Sequence, residues 1–369
     1  MSLSVSDFLL NFPGKQEKME GEIQRFIMVW ASAMLALCYC HTIGRITKPG
    51  KSRFLAFLPV VLLFLYLPLN LHAVFLVGPT SFFLSWLAPF RILLFAAGKG
   101  PLSSTSPALS LQQFLLVSCL PIKIRRNKPD PSLKTHKSPL NYSVKSLIFA
   151  TAVPIFQNKE KINPNLIKLS YCVYLYCALE LFLAMIAAMA RAWLGVEFEP
   201  QFNEPYLATS IQDFWGRRWN LMVTSTLHAT VYDPVRKVST RVFGSKLAPL
   251  PAVVATFLVS GLMHELIFFY IGRKPPNWEL TCFFVLHGVC MAIELVVKKE
   301  VNGKLRLPTI VTGPVVVAFA LATGIWLFMP AVLRSEIDVK ANRECIAFIE
   351  FVKGVGTDFE YAPFKVITD

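Results

Sequence analysis

His264 and Glu265 stand side by side in "VSGLMHELIFFY" (259–270), inside a run from 247 to 271 that is otherwise almost wholly apolar. A charge at bilayer depth costs ~2.5 kcal/mol or more, so an ionisable residue there marks a functional hypothesis. A neutral imidazole escapes that cost. Its unperturbed pKa of ~6.5 leaves it basic near neutral pH, able to take the proton of a hydroxyl. The other reading is a neutral core histidine hydrogen-bonded to a neighbour; Ser260 lies one turn earlier on the same helical face. Glu265 must be protonated, paired with an arginine, or turned toward water. His287, in "FFVLHGVCMAIE", shares a face with Met291 and Glu294 in the next apolar run. A structural hydrogen bond is the first reading of His287.

A second set of polar residues lies upstream, in "EPYLATSIQDFWGRRWNLMVTSTLHATVYDPVRK" (204–237). This stretch is amphipathic and too polar to span a membrane. Thr209 or Ser210 can cap a helix there, with Gln212 or Asp213 three residues on, a capping-box pattern. At 100° per residue Asp213, Arg217, Asn220 and Thr224 share one face, with Ile211, Trp215, Trp219 and Met222 opposite. Two readings follow. The helix, near 209–228, lies in the headgroup layer anchored by its tryptophans, or its stripe lines a polar cavity where Asn and Arg hold a carbonyl or a phosphate.

Motif spacing narrows the chemistry. "HELIF" places Phe268 where HExxH needs its second histidine, so no zinc protease is indicated. No GxSxG elbow is present, so a lipase-like hydrolase lacks its nucleophile. "HATVYD" (228–233) has the H-x4-D spacing of a His–Asp base in glycerolipid acyltransferases, but Leu227 precedes the histidine and no Gly-Thr-Arg block follows. The remaining pattern, one histidine near an apolar cavity and a separate polar helix, suits general-base transfer to a lipid alcohol.

These residues must be positioned by a membrane bundle. The 369-residue chain is 54% hydrophobic and 16% charged, with net charge +14 and mean hydropathy +0.51. That composition is a membrane protein's. Helical spans are expected at 26–43, 54–70, 73–97, 168–191, 247–271, 278–297 and 309–333. Two shorter apolar pieces, 109–124 and 143–156, suit re-entrant, interfacial or bundle-buried segments. Basic stretches at 44–53, 123–137 and 298–306 flank the spans and should lie on the cytosolic side. They close the parity only if one of the two short pieces crosses an odd number of times, and 143–156 is the one taken to cross within the bundle. Because the cations flank spans and form no stripe, nucleic acid is not the expected partner. The eight cysteines form no CxxC pair, so neither zinc nor a disulfide framework is called for. The first apolar run begins near Phe26 and reads as a retained anchor. One all-helical integral membrane domain over 1–369, with about eight spans, is the expected fold.

"SGLMHE" (260–265) resembles the Ser-x-x-x-His-Glu core of the membrane-bound O-acyltransferases, and "QDFWGRRWNLMV" (212–223) their Phe-Trp…Trp-Asn block. The fuller block over 199–290, with "GKGPLS" (98–103) and "SCLPIKI" (118–124), is similar to the plant wax synthase branch, the long-chain-alcohol O-fatty-acyltransferases. The resemblance implies a multi-pass enzyme of the endoplasmic reticulum membrane that joins acyl-CoA to a lipid alcohol without a cofactor. It makes His264 the base and Asn220 its partner across the acyl tunnel, with Phe214, Trp215 and Trp219 shaping the acyl–CoA junction. Arg217 and Arg218 suit the CoA phosphates by their chemistry; Asp213, Ser260, Glu265 and His287 complete the substrate-facing set. Fatty alcohol, sterol and diacylglycerol all remain open as acceptors. One spacing differs: the animal-type sterol and diacylglycerol enzymes have one residue fewer between Phe-Trp and Trp-Asn.

Overall fold

The computed structural model describes residues 12–103, 109–120, 139–157, 159–194, 201–301, 308–337, 339–341 and 344. Among them no strand occurs, and the helices follow the apolar runs. In chain order they are α1 (Phe12–Ile46), α2 (Lys51–Tyr66), α3 (Val74–Ala96), the short α4 (Leu111–Cys119), α5 (Pro139–Gln157) and α6 (Pro164–Leu194). Two polar-region helices follow, α7 (Leu221–Leu227) and α8 (Asp233–Leu247), then α9 (Pro249–Gly272), α10 (Glu279–Val301) and α11 (Thr309–Arg334). Helices α1, α2 with the 3-10 turn that extends it to Asn70, α3, α6, α9, α10 and α11 are long and apolar enough to cross a membrane, at 1.5 Å per residue in an α-helix against a ~30 Å hydrocarbon core. These are the seven expected spans.

The two short pieces differ in length and packing. α4 has only nine residues, about half the length a span needs. It starts beside the end of α1, where His41 and Arg45 approach the Leu109 carbonyl, and dips to Arg91 in α3. α5 runs antiparallel along α6, with Phe149 stacked on Tyr174 (4.6 Å), Phe156 on Tyr171 (4.2 Å) and a buried Lys145–Glu180 ion pair of 2.9 Å. With α5 counted as an eighth crossing, the described ends of two basic stretches, 44–53 and 298–301, fall on one face; 123–137 and 302–306 lie outside the described residues.

Most charged side chains inside this bundle meet helix ends. A helix leaves its first N–H and last C=O groups unbonded, and hydrocarbon offers them no water. Buried Arg53 collects the carbonyls of Gly44, Thr47 and Phe95, closing α1 and α3 together. Arg91 does the same for Val117 and Leu120, and Arg273 for Pro68, Leu69 and Leu71. Carboxylates take the opposite ends, where the dipole favours them: Glu22 accepts from the His72 and Ala73 N–H groups at the start of α3.

α3 lies at the centre; 72% of its apolar window is buried, against 17–33% for the other spans. The closest helix pair is α9 with α10. A Cβ on Gly261 would stand 2.7 Å from the Thr281 Cα, and one on Gly288 would stand 2.8 Å from the Phe257 Cβ. Two glycines thus bring the backbones together, as small residues do between membrane helices. Of the cysteines, Cys40, Cys119 and Cys177 are buried, while Cys282 is exposed on α10.

The stretch 209–228 is helical in pieces and is not one continuous helix. Ile211–Asp213 forms a single turn, Phe214–Arg218 a π turn, Trp219 is extended, and Asn220 is left-handed at φ 38°, ψ 67° before α7 begins. Asparagine is among the few residues other than glycine that enter this region readily. Its side chain then caps the new helix.

Candidate active site

His264 sits midway along α9 and is half-buried. Its Nδ1 lies 2.7 Å from the Ser260 carbonyl oxygen. A carbonyl can only accept, so Nδ1 carries the proton and the neutral ring has its lone pair on Nε2. Nε2 has no partner among the described residues. The contribution of Ser260 is therefore its backbone, not its hydroxyl. The imidazole is walled by Phe284 of α10 at 4.3 Å and Phe328 of α11 at 6.0 Å between ring centroids. Nothing in the sequence pattern pointed to Phe328; Phe284, three residues before His287, was visible only as part of an apolar run.

Glu265 turns the other way, about 100° around the helix. It is buried, and its Oε1 accepts the Thr281 N–H at 3.2 Å, in the first turn of α10. It joins no arginine among the described residues. The two neighbours in sequence thus serve different ends.

The polar segment is built on a defined frame. Ser210 caps it, its Oγ accepting the Asp213 N–H at 3.0 Å, while Asp213 Oδ2 accepts the Thr209 N–H. The Trp219 N–H donates to the Phe214 carbonyl (2.9 Å), five residues back. This i→i+5 bond closes the π turn Phe214–Arg218. The winding also corrects the helical-wheel pairing. Arg218, not Arg217, stands over Asp213, with Nε 2.7 Å from Oδ2. Arg218 further donates to the Asn203 and Glu204 carbonyls. Arg217 is exposed and has no partner among the described residues. Of the two arginines, it alone is at liberty to meet a phosphate.

At the break, every first-turn donor of α7 is taken. Leu221 N–H donates to the Gln201 carbonyl, Met222 N–H to Gln201 Oε1, Val223 N–H to Asn220 Oδ1 and Thr224 N–H to the Asn220 carbonyl. Backbone amides there cannot hold an oxyanion. Because Oδ1 is held by a donor, the Asn220 Nδ2 hydrogens point away, with no partner among the described residues. That amide is the donor on offer. No hydrogen bond joins Asn220 to His264. The elements that carry them share a cluster, in which Met222 and Val223 join Val259 and Met263.

His287 is buried and fully bonded. The Trp215 indole, a donor only, gives its N–H to His287 Nδ1 at 3.0 Å. Nε2–H therefore donates to Thr323 Oγ1 at 2.8 Å, whose hydroxyl goes on to the Phe319 carbonyl. Two turns further along α10, Glu294 accepts the Ile211 and Gln212 N–H groups and pairs with Lys298 at 2.6 Å. One face of α10 thus tethers the polar segment at two points. His287 positions Trp215, which packs edge-on to Phe257 (5.6 Å) and beside Phe284 (5.7 Å), the ring that walls His264. Trp219 completes the group, stacked on Phe214 at 5.5 Å. His228 and Asp233 come within 3.5 Å across a second π turn, His228–Tyr232, but His228 is exposed and Asp233 only half-buried.

Comparison with known proteins adds the following. The family model described as the membrane bound O-acyl transferase family matches residues 198–286. The chain is 46% identical to a long-chain-alcohol O-fatty-acyltransferase of Simmondsia chinensis over 336 residues, 89% of this chain and 95% of that one. It is 43% identical to acyl-CoA–sterol O-acyltransferase 1 of Arabidopsis thaliana (88% and 95% covered). It is also 43% identical to the probable long-chain-alcohol O-fatty-acyltransferase 1 of the same plant (91% and 98%).

Proposed function

The chain belongs to the membrane-bound O-acyltransferase family, and on that premise we propose that it transfers a fatty acyl group from acyl-CoA to the hydroxyl of a long-chain alcohol, forming a wax ester. The observation that carries this reading is the neutral His264 tautomer, its Nε2 without a partner among the described residues and its ring set between Phe284 and Phe328. The alcohol oxygen attacks the thioester carbonyl as Nε2 takes its proton. The Asn220 Nδ2 hydrogens hold the oxyanion that develops. Collapse breaks the C–S bond, and the protonated imidazole returns the proton to the departing CoA sulfur. Acyl-CoA is a co-substrate, and no metal or other cofactor takes part. The exposed Arg217, on the basic face, meets the CoA phosphates. The enzyme works in the endoplasmic reticulum membrane with that face toward the cytosol, where CoA is found.

A sterol acceptor is the second reading, favoured by the 43% identical relative named for that activity. Microsomes from cells lacking their own ester synthases, given labelled acyl-CoA with fatty alcohol, sterol or diacylglycerol in parallel, distinguish the acceptors. His264→Ala should abolish the favoured ester, and His228→Ala should not. An unchanged yield from His264→Ala removes the proposed base; retained substrate with no ester in the parent chain makes the protein a lipid binder instead.

A further inference from the structure

The segment between the polar turns and α9 packs on α9 at one edge but leaves several large apolar side chains uncovered by the described residues. α8 begins where the His228–Tyr232 π turn ends and runs to α9 on the basic face. Gly244, at φ 75°, breaks it and turns the chain into α9, a bend that a side chain would resist. Val235, Val238, Val242 and Phe243 share one side of the helix, centred on Ser239. Ser239 is buried and Val235 half-buried, but Val238, Val242 and Phe243 are 61%, 68% and 57% exposed, as is Leu247 at 52%. Lys237 and Arg241 lie on the opposite side, flanked by Arg236, with Lys246 beyond the break. Against these four cations the helix has one carboxylate, Asp233.

We propose that α8 lies flat in the headgroup layer of the bilayer and binds anionic phospholipid. Its bare valines and phenylalanine enter the acyl boundary, and its arginines and lysines reach the negative headgroups. The charge is complementary to an anionic leaflet, and the apolar side is wider than the protein covers. An amphipathic helix of this kind binds in the interface plane. Its position is fixed at one end by α9, which enters the membrane there. α8 is thus an interfacial element of this chain, and it connects the lipid surface directly to the helix that carries His264.

The full chain in nanodiscs tests this. Val238→Cys, Val242→Cys, Lys237→Cys and Arg241→Cys are each treated with a membrane-impermeant mass-tag maleimide, read as the increment over the parent chain. In discs containing about a third phosphatidylserine, the two valine sites should label at least about tenfold more slowly than the two basic sites. Equal rates at all four sites would overturn the proposal. The protection of Val242→Cys should weaken in purely neutral discs, and the Arg236→Gln, Lys237→Gln, Arg241→Gln, Lys246→Gln chain should lose that lipid dependence. Protection indifferent to phosphatidylserine refutes the anionic partner. Protection of the basic sites that appears only when CoA is added would assign them to nucleotide phosphates instead.

Discussion

Replacing Asn220 with glycine separates what its side chain does from what its backbone does. The residue is held at φ 38°, ψ 67°. An alanine there suffers a left-handed strain of about 1 kcal/mol or more. It also loses the cap on Val223, worth about 1 kcal/mol in general and less here, since that bond is long at 3.4 Å. Glycine enters the same conformation freely, and as a cap it falls short of asparagine by only a few tenths of a kcal/mol, roughly 0.3. Asn220→Gly should thus melt close to the parent chain, with Asn220→Ala roughly 2 kcal/mol less stable. Activity should not follow this order. Both variants lack the Nδ2 donor, and loss of one oxyanion donor lowers turnover by about 10²- to 10³-fold.

The assay is ester formation from labelled acyl-CoA at saturating alcohol, alongside thermal stability of the same preparation in detergent. Both variants should lose turnover to a similar extent, although only alanine lowers the melting temperature. If Asn220→Gly keeps more than about a tenth of parental turnover, the amide is not the oxyanion donor. Its role is then confined to starting α7, and the oxyanion must be held by a group on another element.

Other substitutions sort the remaining polar residues. Arg217→Gln should raise KM for acyl-CoA and leave thermal stability unchanged, whereas Arg218→Gln should lower stability, because only Arg218 is bonded to Asp213 and to two carbonyls. Kinetics and melting of the pair check this. His287→Ala should cost about 1–3 kcal/mol by orphaning the buried Trp215 N–H, and adding Trp215→Phe should recover part of that loss. Strict additivity in this double-mutant cycle would refute the Trp215–His287 link.

Much of the bundle could be read from hydropathy, because a span needs only length and apolar content. The seven long helices follow from those terms. The candidate site was legible only in part. His264 stood out because polarity is rare at that depth, and the Ser210–Asp213 cap because capping is local. The π turn and the left-handed Asn220 were hidden, since a helical wheel assumes one uninterrupted winding. That assumption paired Asp213 with Arg217 instead of Arg218. Gln201, which takes two of the α7 donors, gave no signal at all: its partners lie some twenty residues away and are backbone groups. His287 was correctly read as bonded, yet the identity of its partner depends on how α10 packs against the polar segment.

The pair His264–Glu265 gives the last prediction. Successive residues on a helix project about 100° apart, so one cannot share the other's surroundings. His264 faces the aromatic pocket, and Glu265 faces the start of α10. There its carboxylate accepts the Thr281 N–H at the positive end of the α10 dipole. α10 carries Phe284, His287 and Glu294, so its position controls the wall of the histidine pocket and both tethers of the polar segment. Glu265→Gln keeps an acceptor oxygen and should retain most turnover. Glu265→Ala leaves the Thr281 amide unpaired, at a cost of about 1–3 kcal/mol, and should lower stability and turnover together. Ester formation and melting measured on both variants decide the matter. If Glu265→Gln is as inactive as His264→Ala while melting normally, the carboxylate takes part in proton transfer, and its role cannot be to anchor α10.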